Sequence, residues 1–278
     1  FLETNADNAE AHLAVADFYE RQGNLNLAGA ELREAIDNVA PSNLGAVVTY
    51  LEGFAEKYVT DAGSHDLLAQ AYALTGDLTS AKKSFAKALE LTDDDPAIKS
   101  GIEKDFANIY SRIGREKKAA GDIRGALAAF ESAFDLRDDD ERRADLTDLQ
   151  FDQSQAYFRR GSYAQALRSL NDAYINLPIG KDEERKDRLL PAYDRIITKL
   201  EAVGDLKNLV TARAGAFNQD PTDDTRKRAL ADAQNTYGED LMSQNKYREA
   251  YRQFLAATKL YPGDTDYTAN LSAARLLI

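Results

Sequence analysis

The 278-residue chain has no cysteine, a single methionine and only two histidines. Without cysteine there is no disulfide, no thiolate nucleophile and no cysteine-ligated metal. With His12 and His65 as the only imidazoles, most histidine-based metal and catalytic designs lack their parts, and no His-x3-His or Glu-x2-His pair occurs. Positive charge is also short: 35 Lys and Arg stand against 47 Asp and Glu, a formal net charge of −12. A nucleic-acid binder needs a basic face to displace counterions from phosphates, so no nucleic-acid partner is expected. No apolar run approaches the roughly 18 residues of a membrane-spanning helix, so no transmembrane segment is expected. Gly-x4-Gly-Lys-Ser/Thr, Gly-x-Ser-x-Gly and the dinucleotide-binding fingerprint are all missing. The expectation is therefore no catalytic residue, no cofactor, no metal and no enzyme. What is present is ordinary globular material, 44% apolar and 29% charged, enough to build a core.

The chain begins at Phe1, and Met242 is its one methionine. Residues 1–10 carry neither a basic nor an apolar stretch, so they do not read as a signal peptide. Together these features point to a removed targeting segment or to a piece of a longer protein. A cysteine-free acidic chain tolerates an oxidising compartment without mispairing. That slightly favours a periplasmic or otherwise exported location over the cytoplasm.

The strongest signal is internal repetition. A large or aromatic residue is followed by a few polar residues, a Gly, a polar residue, and an amphipathic run of the form Ala-x3-large-x2-Ala. The phrase runs from Tyr19 and Gly23 to Ala28, Leu32 and Ala35, and again from Tyr72 and Gly76 to Ala81, Phe85 and Ala88. Gly121 precedes Ala126, Phe130 and Ala133, and Gly161 precedes Ala166, Leu170 and Ala173. A weaker copy has Gly204, Leu209, Arg213 and Ala216, and the last has Asn245 in the Gly slot before Ala250, Phe254 and Ala257. His12, Val15, Ala16 and Tyr19 supply an upstream half, matched by His65, Leu68, Ala69 and Tyr72.

These residues resemble the tetratricopeptide repeat family, whose unit pairs large-x2-Leu-small-x2-Tyr with Ala-x3-Phe-x2-Ala and a closing Pro. The resemblance covers nearly the whole chain. It implies an all-α fold, a right-handed α-solenoid of antiparallel helix hairpins, as one body over residues 1–278. The units fall at about 9–40, 62–92, 96–137, 140–178, 182–221 and 223–262. The spacings between Gly slots are 53, 45, 40, 43 and 41 residues, longer than the family's basic unit of about 34. The surplus is expected in long first helices near 96–119, 140–159, 182–202 and 223–243. An extra helix is expected over 42–59, capped by Ser42, and a terminal helix over 264–278 with Leu271 on its core face. The apolar end Leu276-Leu277-Ile278 is unlike a polar cap and favours truncation of a further repeat.

Helical periodicity sets Val15, Ala16 and Tyr19 on one stripe and Ala28, Leu32 and Ala35 on the facing stripe of the next helix. Small residues let the helices approach, and Gly at the turn takes a left-handed conformation without a Cβ penalty. The Asn or Asp that often follows is placed to cap the next helix. His12 and His65 share one slot of their repeats, where a packing role is expected. The acidic triplets Asp93-Asp94-Asp95 and Asp138-Asp139-Asp140 precede long helices. They read as caps rather than calcium loops, which need alternating ligands, a Gly turn and a terminal Glu.

In the family that the chain resembles, first helices line a concave groove that holds peptides or helices. The positions one residue past the small seam residue would then face the partner: Asp17, Gln70, Arg115, Gln155, Thr198 and Glu239. Glu20, Asp66, Ser111, Asp194, Asn235 and Met242 lie on the same stripe. Arg112, Arg115 and Lys118 adjoin the expected stripe of Phe151 and Phe158, a pairing suited to an acidic or aromatic-bearing segment. The family's Lys and Asn carboxylate clamp has no counterpart here, since those slots hold Leu13 with Asp17 and Asp66 with Gln70. The expected function is a non-catalytic scaffold for protein or peptide partners, with a bacterial cell-envelope assembly factor as the sharper form. Two alternatives stand beside it. One is an exopolysaccharide-export scaffold stacking sugars on Phe151, Phe158 and Tyr163; the other is a spacer or regulatory module of a larger chain.

Overall fold

Runs of Ala, Leu, Glu, Lys and Arg broken by Gly-Asp or Gly-Asn pairs should yield helices of three to six turns. The computed structural model describes residues 8–92, 95–178, 180, 181, 183 and 185–278, apart from the side chains of 185 and 186. Among these residues there are fourteen α-helices and no strand: α1 (Ala9–Arg21), α2 (Leu25–Asp37), α3 (Leu44–Lys57), α4 (Ala62–Thr75), α5 (Leu78–Glu90), α6 (Pro96–Ala119), α7 (Ile123–Leu136), α8 (Asp140–Arg159), α9 (Tyr163–Ile175), α10 (Leu190–Val203), α11 (Leu206–Gln219), α12 (Asp224–Ser243), α13 (Tyr247–Leu260) and α14 (Thr265–Arg275). A 3₁₀ turn, Pro41–Asn43, leads into α3, and a π-helical turn, Arg185–Leu189, leads into α10.

The turn chemistry follows the repeated phrase. Gly23, Gly76, Gly121, Gly161 and Gly204 all have positive φ, and Asn245 adopts φ 59° in the same slot. Asn24, Asp77, Asp122 and Asp205 then accept a hydrogen bond from the backbone N–H three residues on. Asp95 caps α6 by accepting from Ala97 and Ile98. Asp139 accepts from the Arg142 N–H at the start of α8. The capping expected of Asp93 and Asp94 lies outside the described residues.

Two expectations need correction. Ser42 does not cap the extra helix: it sits in the 3₁₀ turn and donates to Asn43, and α3 starts without a side-chain cap. Pro41 opens a tight turn that already sets the entry angle. The first helix of the fifth unit is not one extended α-helix over 182–202 either. The α-helix begins at Leu190, and the preceding turn is π-helical; Pro191, with no N–H and a fixed φ, is placed where an α-helix starts. Residues 182 and 184 of that expected helix lie outside the described residues.

The chain divides into two compact units, Phe1–Arg142 and Arg143–Ile278. In the first, α1 pairs with α2, α4 with α5 and α6 with α7, while α3 lies against α4. One apolar cluster joins α1 to α4 through Leu32, Leu51, Phe54 and Leu67. A second joins α4 to α7, where the Phe85 and Phe106 rings stack at 4.1 Å. In the second unit, α8 to α12 share a cluster built on Leu170, Tyr193 and Ile196. Smaller clusters around Phe254 and Tyr267 continue it to α14. Leu271 packs against the Phe254 cluster as expected of the terminal helix, with Ala274 buried beside it.

Three hairpins close on a glycine. A Cβ on Gly114 of α6 would lie 2.4 Å from the Phe130 ring of α7, and one on Gly238 of α12 would lie 2.5 Å from the Phe254 ring of α13. In α10 and α11 the arrangement reverses, because Tyr193 of the first helix fills the space over Gly215 of the second, at 2.4 Å.

Candidate functional site

The expected stripe is laced by polar contacts between helices. In the first unit, Glu20 of α1 accepts from Tyr50 at 3.0 Å, Lys57 at 2.7 Å and Tyr58 at 3.3 Å, all on or just after α3. Burial works to raise its pKa, but bonds from Lys57, Tyr50 and Tyr58 outweigh this and hold Glu20 below the usual carboxylate range. Asp17 pairs within its own helix with Arg21 at 2.8 Å.

Gln70 and Asp66 are not open to a groove. Both are buried, and Gln70 donates to Asp66 at 2.8 Å. Arg33 of α2 lies 3.6 Å from the same Asp66 oxygen and 2.6 Å from Asp105 of α6. The other Asp66 oxygen is buried without a partner among the described residues. Burial, and then the charge of Asp105, push the Asp66 carboxyl up to about 7 against the opposing pull of Arg33 and Gln70. Helices α2 and α6 close over this part of α4, which the sequence pattern of α4 alone does not reveal.

At the end of this unit, Arg115 of α6 pairs with Glu141 at 2.9 Å, and both are about half exposed. Arg142 is buried, bonds Asn108 of α6, and joins Glu141 at 2.8 Å. Ser111 is buried, while Arg112 and Lys118 are half-buried on the same helix.

In the second unit a continuous set of pairs runs across the first helices. Arg188, in the π-helical turn, stacks over the Phe151 ring at 4.5 Å and bonds Asp148 at 2.5 Å. Arg195 of α10 lies over Phe158 at 5.9 Å and donates to Gln155 at 3.0 Å. Tyr163 also lies against Phe158, the two rings tilted with centroids 5.7 Å apart. Asp194 holds Arg226 of α12 through two bonds, 2.7 and 3.0 Å; the bond to Asp194 raises the guanidinium pKa although burial lowers it. Thr198 is exposed and bonds the carbonyl of Asp194 in its own helix. Asn270 of α14 donates to Asn235 and Glu239 of α12, each at 3.0 Å. Met242 packs in the Phe254 cluster.

Sequence reading missed Arg33, Arg188, Arg195 and Asn270. Arg188 and Arg195 are seven residues apart, two helical turns, a spacing that places both on one face. That was the available signal.

The histidines have local partners. His12 is buried with Nδ1 2.7 Å from Glu31 of α2, at the seam between the paired helices. His65 is 3.2 Å from the carbonyl of Val59. Among the described residues no group of three or more His, Asp or Glu is placed to hold a metal ion, and no helix is long and apolar enough to cross a membrane.

Residues 62–95, which span α4 and α5, match the family model of the tetratricopeptide repeat. No curated protein matches the chain. Among solved structures, the chain is similar to the Cut9–Hcn1 hetero-tetramer of APC/C, with 11% identity over 97% of this chain and 46% of that one and a TM-score of 0.31. It is also similar to the TPR domain of P58(IPK), with 15% identity, 99% and 80% coverage and a TM-score of 0.28. A tetratricopeptide repeat protein from Parabacteroides merdae matches with 12% identity, 96% and 98% coverage and a TM-score of 0.26. The chain spans less than half the length of the Cut9–Hcn1 chain that it matches.

Proposed function

For this tetratricopeptide repeat protein we propose a non-catalytic role: a scaffold that binds a segment of a partner protein along the stripe of its first helices. The observation that carries the reading is the set of side chains held in place across α8, α10, α12 and α14 in the second unit. Gln155 with Arg195, Asp194 with Arg226, and Asn235 and Glu239 with Asn270 are each paired between neighbouring helices. A surface whose side chains are already ordered loses less conformational entropy on association. Arginines lying over Phe151 and Phe158 add charge-assisted bonding to apolar anchoring, which suits a segment bearing carboxylates or aromatic rings. The same stacking covers ring faces that a sugar would need, so a protein partner is favoured over the exopolysaccharide reading. Within the first unit, taken by itself, Asp17, Arg112, Arg115 and Lys118 are the remaining accessible candidates on its first helices.

The finer placement, a bacterial cell-envelope assembly factor, rests on the cysteine-free acidic composition. A plain cytoplasmic start in the parent gene would remove it. The scaffold reading is tested by affinity capture from the source cells with quantitative mass spectrometry. A partner retained by the wild type and lost from the Gln155→Ala/Phe158→Ala variant, with unchanged circular dichroism, supports it. Equal capture by both overturns it.

A further inference from the structure

The insertion of α3 leaves a second opening, which shares no residue with the stripe of the second unit. Helix α4 is the floor between α3 and α5, and an open cavity of about 550 Å³ lies along it. Ala55, Val59, Leu68 and Tyr72 supply apolar lining, interrupted by the polar groups of His65, Ser80 and Ser84. The two walls carry opposite charge: Glu52 and Glu56 from α3, Lys83 and Lys87 from α5. In each wall the charges are four residues apart, one turn along the helix, so each wall is a short row rather than a point. Glu52 accepts from Tyr72 at 2.6 Å and Lys87 pairs with Glu90 at 3.0 Å. Glu56 and Lys83 are exposed and have no ion-pair partner among the described residues.

From this juxtaposition we infer that the α3–α5 trough is a docking site for an amphipathic helical segment of a partner protein. That segment carries an apolar row edged by Lys or Arg on one side and Asp or Glu on the other. The volume falls within the usual range of ligand clefts, about 300–1,000 Å³. An apolar floor between charged rims is how helix-in-groove recognition divides affinity from orientation. Opposite signs on the two walls select a helix with unlike edges and disfavour one with like edges, since a like-charge juxtaposition opposes docking.

The probe is a fluorescein-labelled model helix with a leucine row, one lysine edge and one glutamate edge. It is titrated against the full chain by fluorescence anisotropy, beside two sister helices with both edges lysine or both edges glutamate. The mixed-edge helix is expected to bind roughly tenfold more tightly than either sister. Lys83→Glu leaves Lys87 beside a new carboxylate, cancels the charge of the α5 wall and should narrow the gap between the mixed-edge and the two-lysine helix; Glu56→Lys cancels the α3 wall in the same way and should narrow the gap to the two-glutamate helix. Both substitutions are at exposed positions, which keeps the fold out of the comparison. Equal affinity for the three helices, no narrowing of either gap on charge reversal, or no binding at all overturns the assignment. The Gln155→Ala/Phe158→Ala variant is expected to bind the mixed-edge helix like the wild type, so failure of the stripe reading and failure of this one are separable.

Discussion

Asp66 and Arg33 meet across α4 and α2 with a carboxylate oxygen 3.6 Å from a guanidinium nitrogen, and the second carboxylate oxygen is buried with no partner among the described residues. Arg33 is shared with Asp105, and Gln70 is the only other polar group bonded to Asp66 among the described residues. The folded chain holds the Asp66 proton up to about pH 7, whereas the ordinary value is 3.8. Between those values the unfolded chain has released a proton that the folded chain keeps. Stability from this group is therefore full below about pH 4 and is lost as the pH rises through 7. Urea denaturation at pH 4.5 and pH 8 should show a decline in the wild type that is smaller in Asp66→Asn, by up to about 3 kcal/mol. Identical slopes in the two proteins would refute the assignment.

Two glycines of α6 should respond oppositely to alanine. A Cβ on Gly101 would meet nothing within 4 Å, so Gly101→Ala removes backbone freedom from the unfolded chain and should add about 0.5–1 kcal/mol. Gly114→Ala drives a methyl into the Phe130 ring and should cost about 1–3 kcal/mol. Thermal unfolding of the two variants reads the difference directly. Phe130→Leu combined with Gly114→Ala should recover part of the loss.

Asn245 occupies a left-handed turn that five glycines occupy elsewhere. Asn245→Ala and Asn245→Gly both lose the bond from the Tyr247 hydroxyl to the Asn side chain, but only Ala keeps a Cβ in the left-handed region. Asn245→Ala should cost about 1 kcal/mol, while Asn245→Gly should be close to neutral. Equal stability of the two variants, measured by denaturant unfolding, would contradict a conformational demand at this turn.

The Arg115–Glu141 pair is half exposed at both ends. Such pairs contribute about 0–1 kcal/mol, so Arg115→Ala should leave the unfolding midpoint almost unchanged. Under the stripe reading, capture of the partner should nevertheless fall. A variant with normal stability and normal capture would remove Arg115 from the binding surface.

Local chemistry was legible in the sequence wherever a residue's role depends on its own backbone or next turn. Gly23, Gly76 and Asn245 announced left-handed turns, Asp77 and Asp122 announced caps, and the apolar spacing around Phe106 announced a long α6. The site was legible only in part. Periodicity put Asp66 and Gln70 on the same stripe as Arg115 but carried no information about which neighbour would cover them. Arg33 and Asp105 come from helices before and after α4, and both of those helices lie against it. Similarly, Arg195 was adjacent to a named residue, yet its stacking on Phe158 depends on a partner 37 positions away. Long-range side-chain pairing of this kind has no signature in a local pattern.

The reversed fit of Tyr193 over Gly215 limits how this chain could be recombined. A chimera joining α10 to α13 would bring the Tyr193 and Phe254 rings to one seam with no glycine to receive either. One joining α12 to α11 would set Gly238 against Gly215 and leave a hollow. Exchange of whole hairpins preserves each ring with its own recess; exchange of single helices does not, so the heritable module at this end of the protein is the pair.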